Sequence, residues 1–172
     1  MRSRDARLKR LAAHIQSLSE KDALLVRHAR DIADIRRGAA RELHSICEAF
    51  VRSVNSLLED ETVVLDPAVL PGNFRDNGRN LFQINVRGRV LQVEFEATDE
   101  LVSTEDFRIP YTLAGEVRAF NQELLDKDLI QEQLIFFTLE GGTRMWRFFD
   151  ARTYRSGPFD QDYLISLMEQ LL

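Results

Sequence analysis

The chain has 172 residues, of which 44% are hydrophobic and 30% are charged, and its formal net charge is −5. This balance is typical of folded globular proteins and excludes wholesale disorder. The charge is uneven, because residues 1–60 are mildly basic and residues 61–172 are strongly acidic. The C-terminal part of the chain is therefore a poor nucleic-acid binder by its overall field.

Cysteine and histidine are scarce, which limits the chemistry available to the chain. The single cysteine, Cys47, excludes an intramolecular disulfide framework and a multi-cysteine metal site. Of the three histidines, His14, His28 and His44, only His44 is close to Cys47 in sequence. A zinc site would need two or three further ligands of these kinds. We therefore expect no metal and no cofactor, with Cys47 packed in the interior and His44 outside it.

The sequence carries no signal for secretion or membrane insertion. It begins with charged residues and contains no run of about 18 apolar residues, such as a membrane span requires. A single free thiol suits a reducing compartment. We therefore expect a cytoplasmic protein with no membrane segment.

A heptad repeat organises the first third of the chain. Its a and d positions are Leu8, Leu11, Ile15, Leu18, Asp22, Leu25, Ala29, Ile32, Arg36, Ala39, Leu43, Ile46 and Phe50. Only Asp22 and Arg36 are polar, and they coincide with possible helix breaks at residues 19–22 and 36–38. The heptad phase passes both points unshifted, which favours one long helix over residues 3–59 that buries a stripe against another element.

The apolar stripe changes in character along this helix. Its C-terminal end is bulky, whereas its upstream part contains many alanines and both polar interruptions. We therefore predict a helical arm over residues 1–60, of which residues 8–40 mediate assembly and residues 43–58 pack on a sheet. Residues 61–80 are rich in turn-forming residues and predict a connector, and residues 81–172 predict an α+β domain.

The best-determined element after the helix is a β-hairpin. Residues 81–86 and 90–97 are rich in β-formers and flank a two-residue loop at 87–88. A loop of that length pairs Ile84 with Leu91, and it leaves all the apolar side chains on one face. Loop length and alternation agree independently, so the sequence predicts a half-buried hairpin with this register.

A second hairpin is predicted over residues 129–154, with its turn at Gly141-Gly142. The two-residue loop pairs Phe137 with Trp146. Unlike the first hairpin, this one is apolar on both faces, which predicts that it lies at the centre of the sheet and is covered on both sides. We expect the C-terminal helix on one face and the end of the long helix on the other.

Weaker patterns complete the fold. Val63–Leu65 predicts a short edge strand, and residues 99–106 predict an acidic loop. The stretch 109–121 fits a strand or a helix, and we favour the strand. Ser156–Pro158 predicts the start of a C-terminal helix. The fold class is thus α+β, with a long N-terminal amphipathic helix and an antiparallel sheet of about four or five strands closed by a C-terminal helix.

The heptad stripe also provides the first functional hypothesis. A wide apolar stripe on an isolated helix is unfavourable in water, so we expect the arm to form a homo-oligomer. The residues expected to mediate this self-association are Leu8, Leu11, Ile15, Leu18, Leu25 and Ile32. The chain would then be a non-enzymatic assembly or adaptor protein that presents its α+β domain to a protein partner. The helix orientation and the order of the oligomer stay open.

Two other functions compete with this one. The basic residues at the N-terminus are Arg2, Arg4, Arg7, Lys9 and Arg10. They predict, as an alternative, a nucleic-acid-associated accessory factor whose binding to a random duplex weakens steeply as salt rises. Paired carboxylates such as Glu94 and Glu96 predict, as a third alternative, an enzyme with a carboxylate-based site. No phosphate-binding loop or nucleophile motif supports this third reading.

Overall fold

The computed structural model describes residues 2–70, 78–102, 111–140 and 143–172. The chain divides into two units, Met1–Ile35 and Arg36–Leu172. The helices and strands of the described residues are α1 Arg2–Asn55, β1 Val63–Asp66, β2 Asn80–Val86, β3 Arg89–Val102, β4 Tyr111–Phe120, α2 Gln122–Asp126, β5 Gln131–Glu140, β6 Thr143–Asp150, β7 Arg155–Pro158 and α3 Gln161–Leu171.

The N-terminal helix α1 is continuous from Arg2 to Asn55, so neither suspected break interrupts it. Its sequence contains no proline and one glycine, Gly38, so its backbone chemistry forces no break. The predicted long helix is confirmed, although it ends before residue 59. Leu57 and Leu58, which the sequence assigned to the packed stripe, follow the end of the helix and are exposed.

The seven described strands form one antiparallel sheet whose spatial order follows the chain from β1 to β7. The α+β class, the antiparallel sheet and the C-terminal helix are confirmed. The number of strands is higher than the predicted four or five. Strand β1 lies at one edge, as the pattern at Val63–Leu65 predicts, and β7 lies at the other.

The register of the first hairpin is confirmed, because Ile84 of β2 pairs with Leu91 of β3. Its loop residues Arg87 and Gly88 both have positive φ, at 49° and 85°. Two successive positive φ values characterise the type I′ turn, whose twist matches that of the flanking strands. Loop geometry and side-chain alternation therefore specify the same pairing.

The second hairpin, β5–β6, also has the predicted register, with Phe137 opposite Trp146. Its turn residues 141–142 lie outside the described residues. The central strand of the sheet is β4, so the prediction that this hairpin lies at the centre is wrong. The hairpin is apolar on both faces because one face lies under the helices and the other belongs to a separate aromatic cluster.

One predicted loop and the stretch of ambiguous pattern both contain strand. Strand β3 continues to Val102 and so includes the start of the acidic loop predicted at 99–106, whose remainder from residue 103 lies outside the described residues. Tyr111–Phe120 forms strand β4, which agrees with the strand that we favoured for residues 109–121. Residues 109–110 lie outside the described residues.

The predicted helix start at Ser156–Pro158 is wrong. These residues form most of the edge strand β7, where Gly157 pairs with Phe148. Proline is tolerated on an edge strand because its missing N–H group need not complete a ladder. Helix α3 begins after Asp160, whose carboxylate accepts a hydrogen bond from the Tyr163 N–H at 2.9 Å, as an N-cap residue does.

Helix α1 packs on the sheet through its C-terminal part. The buried residues of this part are Ala39, Ala40, Leu43, His44, Cys47 and Phe50. The Trp146 indole N–H donates a hydrogen bond to the Ala39 carbonyl oxygen at 2.8 Å. Methyl side chains at residues 39 and 40 allow this close approach of the helix backbone to the ring.

Helix α3 packs on the same face of the sheet. The Tyr163 ring of α3 stacks on Phe148, with ring centroids 4.2 Å apart. Strand pairing and side-chain alternation place Phe148 and Trp146 on one face. The prediction that the two helices cover opposite faces is therefore wrong. Alternation in the strands identifies two apolar faces but does not determine which helix covers which face.

His44 is buried, and the expectation that it lies outside the interior is wrong. Its Nε2 atom is 2.8 Å from the Pro67 carbonyl oxygen, and its ring packs edge-on against Phe82. The oxygen only accepts, so Nε2 donates. A helix of 3.6 residues per turn drifts about 20° per heptad against the seven-residue repeat. After several heptads the buried face therefore includes position b, which His44 occupies.

The opposite face of the sheet carries a small aromatic cluster. Tyr111, Phe136 and Phe149 are buried there, with Ala114 and Leu134 packed against them. The ring centroids of Tyr111 and Phe136 are 4.5 Å apart. The apolar residues predicted to receive the long helix on this face thus pack against one another.

A side-chain clamp joins the end of α1 to the edge strand β1. The Asn55 amide nitrogen donates to the Val63 carbonyl oxygen at 2.8 Å, and its amide oxygen accepts from the Val63 N–H at 2.9 Å. Both backbone groups of a buried residue are therefore satisfied by one side chain. The sequence gives no sign of this clamp, because an asparagine near a helix end is also an ordinary surface residue.

Candidate functional site

The most unusual surface of the described residues is an apolar stripe on the N-terminal unit. Its members are Leu8, Leu11, Ile15 and Leu18, which are 54%, 55%, 57% and 47% exposed. These four residues, called the exposed stripe below, occupy successive a and d positions and so lie on one face of α1. Single exposed apolar residues are common on protein surfaces, whereas an ordered row of them on one helix face is unusual.

The stripe continues toward the C-terminal end of the unit with less exposure. Ile32, at the last d position of the unit, is half-buried. The side chain of Leu25 lies outside the described part of the chain. Of the six residues predicted to mediate self-association, the structure thus describes five, and four of these form the exposed stripe.

Among its described side chains, this unit exposes two further large apolar residues. Val26 lies at an e position, next to the a and d column, and is 54% exposed. Leu24 lies at a c position, on the far side of the helix, and is 60% exposed. Leu24 is as exposed as the stripe but belongs to another face, which makes it a natural control in experiments on the stripe.

The basic N-terminal residues do not form one cluster. Arg4 and Arg7 lie at d and g positions, beside the exposed stripe, whereas Arg10 lies at an outward c position. Lys9 lies on the other side, since each residue turns the helix by 100°. The side chain of Arg2 is outside the described part. The side chains of Arg4, Arg7, Lys9 and Arg10 are exposed.

The two polar residues of the heptad column have different surroundings. Arg36, the first residue of the second unit, donates from Nε to the Thr112 hydroxyl oxygen at 3.0 Å and from Nη2 to the Thr98 carbonyl oxygen. It therefore fastens α1 to strands β3 and β4. Asp22 lies within the first unit and is exposed. Sequence reasoning grouped these residues because both are charged residues at a positions.

The paired carboxylates predicted as a possible catalytic site lie in a groove of about 380 Å³ on the aromatic-cluster face of the sheet. Arg79 contacts Glu94 at 3.2 Å and Glu96 at 3.9 Å. Arg118 contacts Glu116 at 2.7 Å and Glu132 at 3.0 Å. Its bond to Glu132 is the largest of the effects that raise the pKa of the Arg118 guanidinium.

General acid–base catalysis needs a carboxyl group in a water-poor cleft. The side chains of Glu94 and Glu116 are 27% and 34% exposed, and those of Glu96 and Glu132 are 58% and 46% exposed, so all four keep contact with solvent. Ion pairs of this kind contribute little stability each, and together they form an ordinary polar sheet surface. The arrangement favours a solvated face over a catalytic site.

Cys47 and His44 do not form a reactive pair. Cys47 is fully buried, and burial raises the pKa of its thiol to about 12. The thiolate is the nucleophilic form, so this thiol is unreactive at neutral pH. In the ranges that the structure describes, no group of three or more His, Cys, Asp or Glu residues is placed to hold a metal ion.

Comparison of the chain with protein-family models, with curated proteins and with solved structures finds no match. Among the described residues, no helix combines the length and the apolar character needed to cross a membrane.

Proposed function

We propose that this protein is a non-enzymatic assembly protein that self-associates through the N-terminal part of α1 and presents its α+β unit to a protein partner. The observation that carries the proposal is the exposed stripe of Leu8, Leu11, Ile15 and Leu18. Coiled-coil pairing is the arrangement that buries such a/d rows. The free thiol of Cys47 suits a reducing compartment, so the proposal includes a cytoplasmic location.

The stripe is long enough to support reversible association. Complete burial of a leucine or isoleucine side chain contributes about 1.5–3 kcal/mol, so burying the exposed half contributes about 1 kcal/mol. The stripes of two copies then contribute about 8 kcal/mol before Val26 and Ile32 are counted. Association costs about 4–15 kcal/mol in lost freedom of motion. At the low end of that cost the eight leucine and isoleucine side chains alone leave about 4 kcal/mol, so association at micromolar concentrations needs the additional burial of Val26, Ile32 and the rest of the column.

Light scattering coupled to size-exclusion chromatography tests the proposal on the full chain at tens of micromolar concentration. We expect a dimer or larger species. A variant with serine at all four positions of the exposed stripe should elute as a monomer. The substitutions remove the apolar surface that two copies would bury, and they lie on exposed positions of α1. Its circular dichroism should retain the signal of the folded Arg36–Leu172 unit.

Leu24→Ser is the matched control, because Leu24 is equally exposed but lies on the far side of the helix. It should leave the oligomer unchanged. A wild-type chain that stays monomeric at these concentrations refutes the proposal. Loss of the oligomer in the Leu24 variant, with an unchanged oligomer in the four-serine variant, refutes the assignment of the stripe.

A further inference from the structure

The charged residue Asp22 restricts how two copies of the arm can pair. It occupies an a position in the middle of the column that runs from Leu8 to Ile32. In a parallel, in-register pair each a residue faces its own copy, so two Asp22 carboxylates would meet in the apolar seam. Like charges brought together out of water repel strongly. A parallel arrangement is therefore destabilised at its centre by repulsion between the two Asp22 carboxylates.

We infer that the arm pairs with a second copy of itself in the antiparallel orientation, with Leu8 of one copy opposite Ile32 of the other. This inference rests on the proposed function. In an antiparallel pair a positions face d positions, and the numbers of facing residues have a constant sum. If the residue numbers of each facing pair add up to 40, every column residue from Leu8 to Ile32 faces another column residue. The facing pairs are Leu8 with Ile32, Leu11 with Ala29, Ile15 with Leu25, and Leu18 with Asp22.

Side-chain size supports the same register. Ala29 faces the larger Leu11 in the antiparallel pair, and alternating large and small residues fill a seam well. In a parallel pair Ala29 would face Ala29 and leave a thin layer. Asp22 faces Leu18 near the two-fold axis, where the two carboxylates belong to different layers and can turn toward the edge of the seam.

The edges of the seam are compatible with this orientation. The residues at the e edge are Ala12, Ser19, Val26 and Ala33, which are small or apolar and face one another across an antiparallel pair. The other edge brings Lys21 of the two copies near each other. Their long side chains stay in water there, and repulsion between solvated charges is weak.

The part of the heptad column that is free to pair with a second copy ends at Ile32, as the antiparallel register requires. The next a residue after Ile32 is Arg36, whose guanidinium donates to Thr112 and to the carbonyl oxygen of Thr98. From Ala39 to Phe50 one face of the helix is buried against its own sheet. Eight column residues from Leu8 to Ile32 therefore form a self-contained, self-complementary segment.

Disulfide trapping in the full chain tests the orientation. In the antiparallel pair the two copies of residue 8 are 24 residues apart along the helix, which is about 36 Å. A disulfide requires Cβ atoms about 4 Å apart. Leu8→Cys alone should therefore not cross-link under mild oxidation. An equal mixture of Leu8→Cys and Ile32→Cys should form the mixed disulfide dimer.

Matched controls separate specific trapping from random oxidation. Lys9→Cys mixed with Arg30→Cys has almost the same spacing, but both residues lie at outward b positions. We expect cross-linking of the Leu8–Ile32 mixture to be at least about tenfold faster than that of this control, because pairing raises the effective thiol concentration. Cys47 is buried in every variant and does not contribute.

The outcomes separate the inference from the proposed function. Rapid cross-linking of Leu8→Cys with itself indicates a parallel pair and overturns the inference, while self-association stands. A dimer by light scattering that cross-links in neither sample overturns the register and therefore the inference. A monomer by light scattering overturns both. Cross-linking confined to the Leu8–Ile32 mixture supports the antiparallel pair.

Discussion

Trp146 provides the sharpest test of how the long helix is attached to the sheet. Its side chain is 1% exposed, it packs against Phe95 and Phe137 with ring centroids 5.3 and 5.5 Å away, and its N–H group donates to Ala39 of α1. Replacement by alanine removes the ring contacts and the hydrogen bond together. We therefore expect Trp146→Ala to destabilise the Arg36–Leu172 unit substantially.

The magnitude follows from these contacts. Truncation of a buried aromatic residue to alanine costs about 3–5 kcal/mol, and the lost hydrogen bond contributes about 1 kcal/mol of this. Trp146→Phe keeps most of the ring but removes the donor, so it should cost about 1–2 kcal/mol. Tyr154→Ala is the control, because Tyr154 is 70% exposed, and its effect should stay within about 0.5 kcal/mol.

Urea unfolding followed by circular dichroism measures these losses. All variants must be compared at one protein concentration, because the proposed self-association would link stability to concentration. Trp146 is the only tryptophan, so the fluorescence of the wild-type protein reports on this site alone and should be blue-shifted. A loss below about 1.5 kcal/mol for Trp146→Ala, or an emission spectrum typical of indole in water, would refute the buried position and the helix attachment.

Two other predictions concern the same unit. Asn55→Ala leaves the buried N–H and carbonyl groups of Val63 without the clamp. It should lower the free energy of unfolding in urea by about 2–3 kcal/mol. An effect no larger than that of the exposed-site control Ser53→Ala would contradict the clamp. Cys47 should not react with a thiol reagent at pH 8 in the native protein but should react once urea unfolds it. Because burial raises its pKa from 9.0 to about 12, its contribution to stability is complete below pH 9 and is lost as pH rises toward 12; rapid labelling of the native protein would disprove its burial.

The register of the first hairpin was predictable because two independent constraints agree, whereas that of the second, which is apolar on both faces, was predictable from its two-residue loop alone. Side-chain alternation fixes which residues share a face, and a two-residue loop fixes which residues stand opposite one another. A shift of one residue would expose Phe82 and Ile84 of β2 together, so the pairing is strongly specified. Local chemistry therefore determines the register without knowledge of the rest of the fold.

The edge strand β7 and the placement of the helices were not predictable in this way. Arg155–Pro158 has no alternation and contains glycine and proline, so its pairing with β6 depends on a neighbouring strand that local sequence does not reveal. The position of α1 depends on Ala39 and Ala40. In the sequence these residues weaken the apolar stripe, whereas in the structure their small size lets the helix backbone reach Trp146.

The two polar residues of the heptad column show that the repeat alone does not determine which of its positions pack on the sheet. Asp22 and Arg36 are equivalent in the repeat, yet Arg36 finds two acceptors on its own sheet and Asp22 is exposed in a unit that consists of one helix segment. Arg36 thus marks the point at which the heptad column changes from exposed residues to residues that pack on the sheet. Asp22 contacts no sheet of its own, so in the proposed pair its charge, at the centre of the remaining segment, bears on the orientation of the two copies.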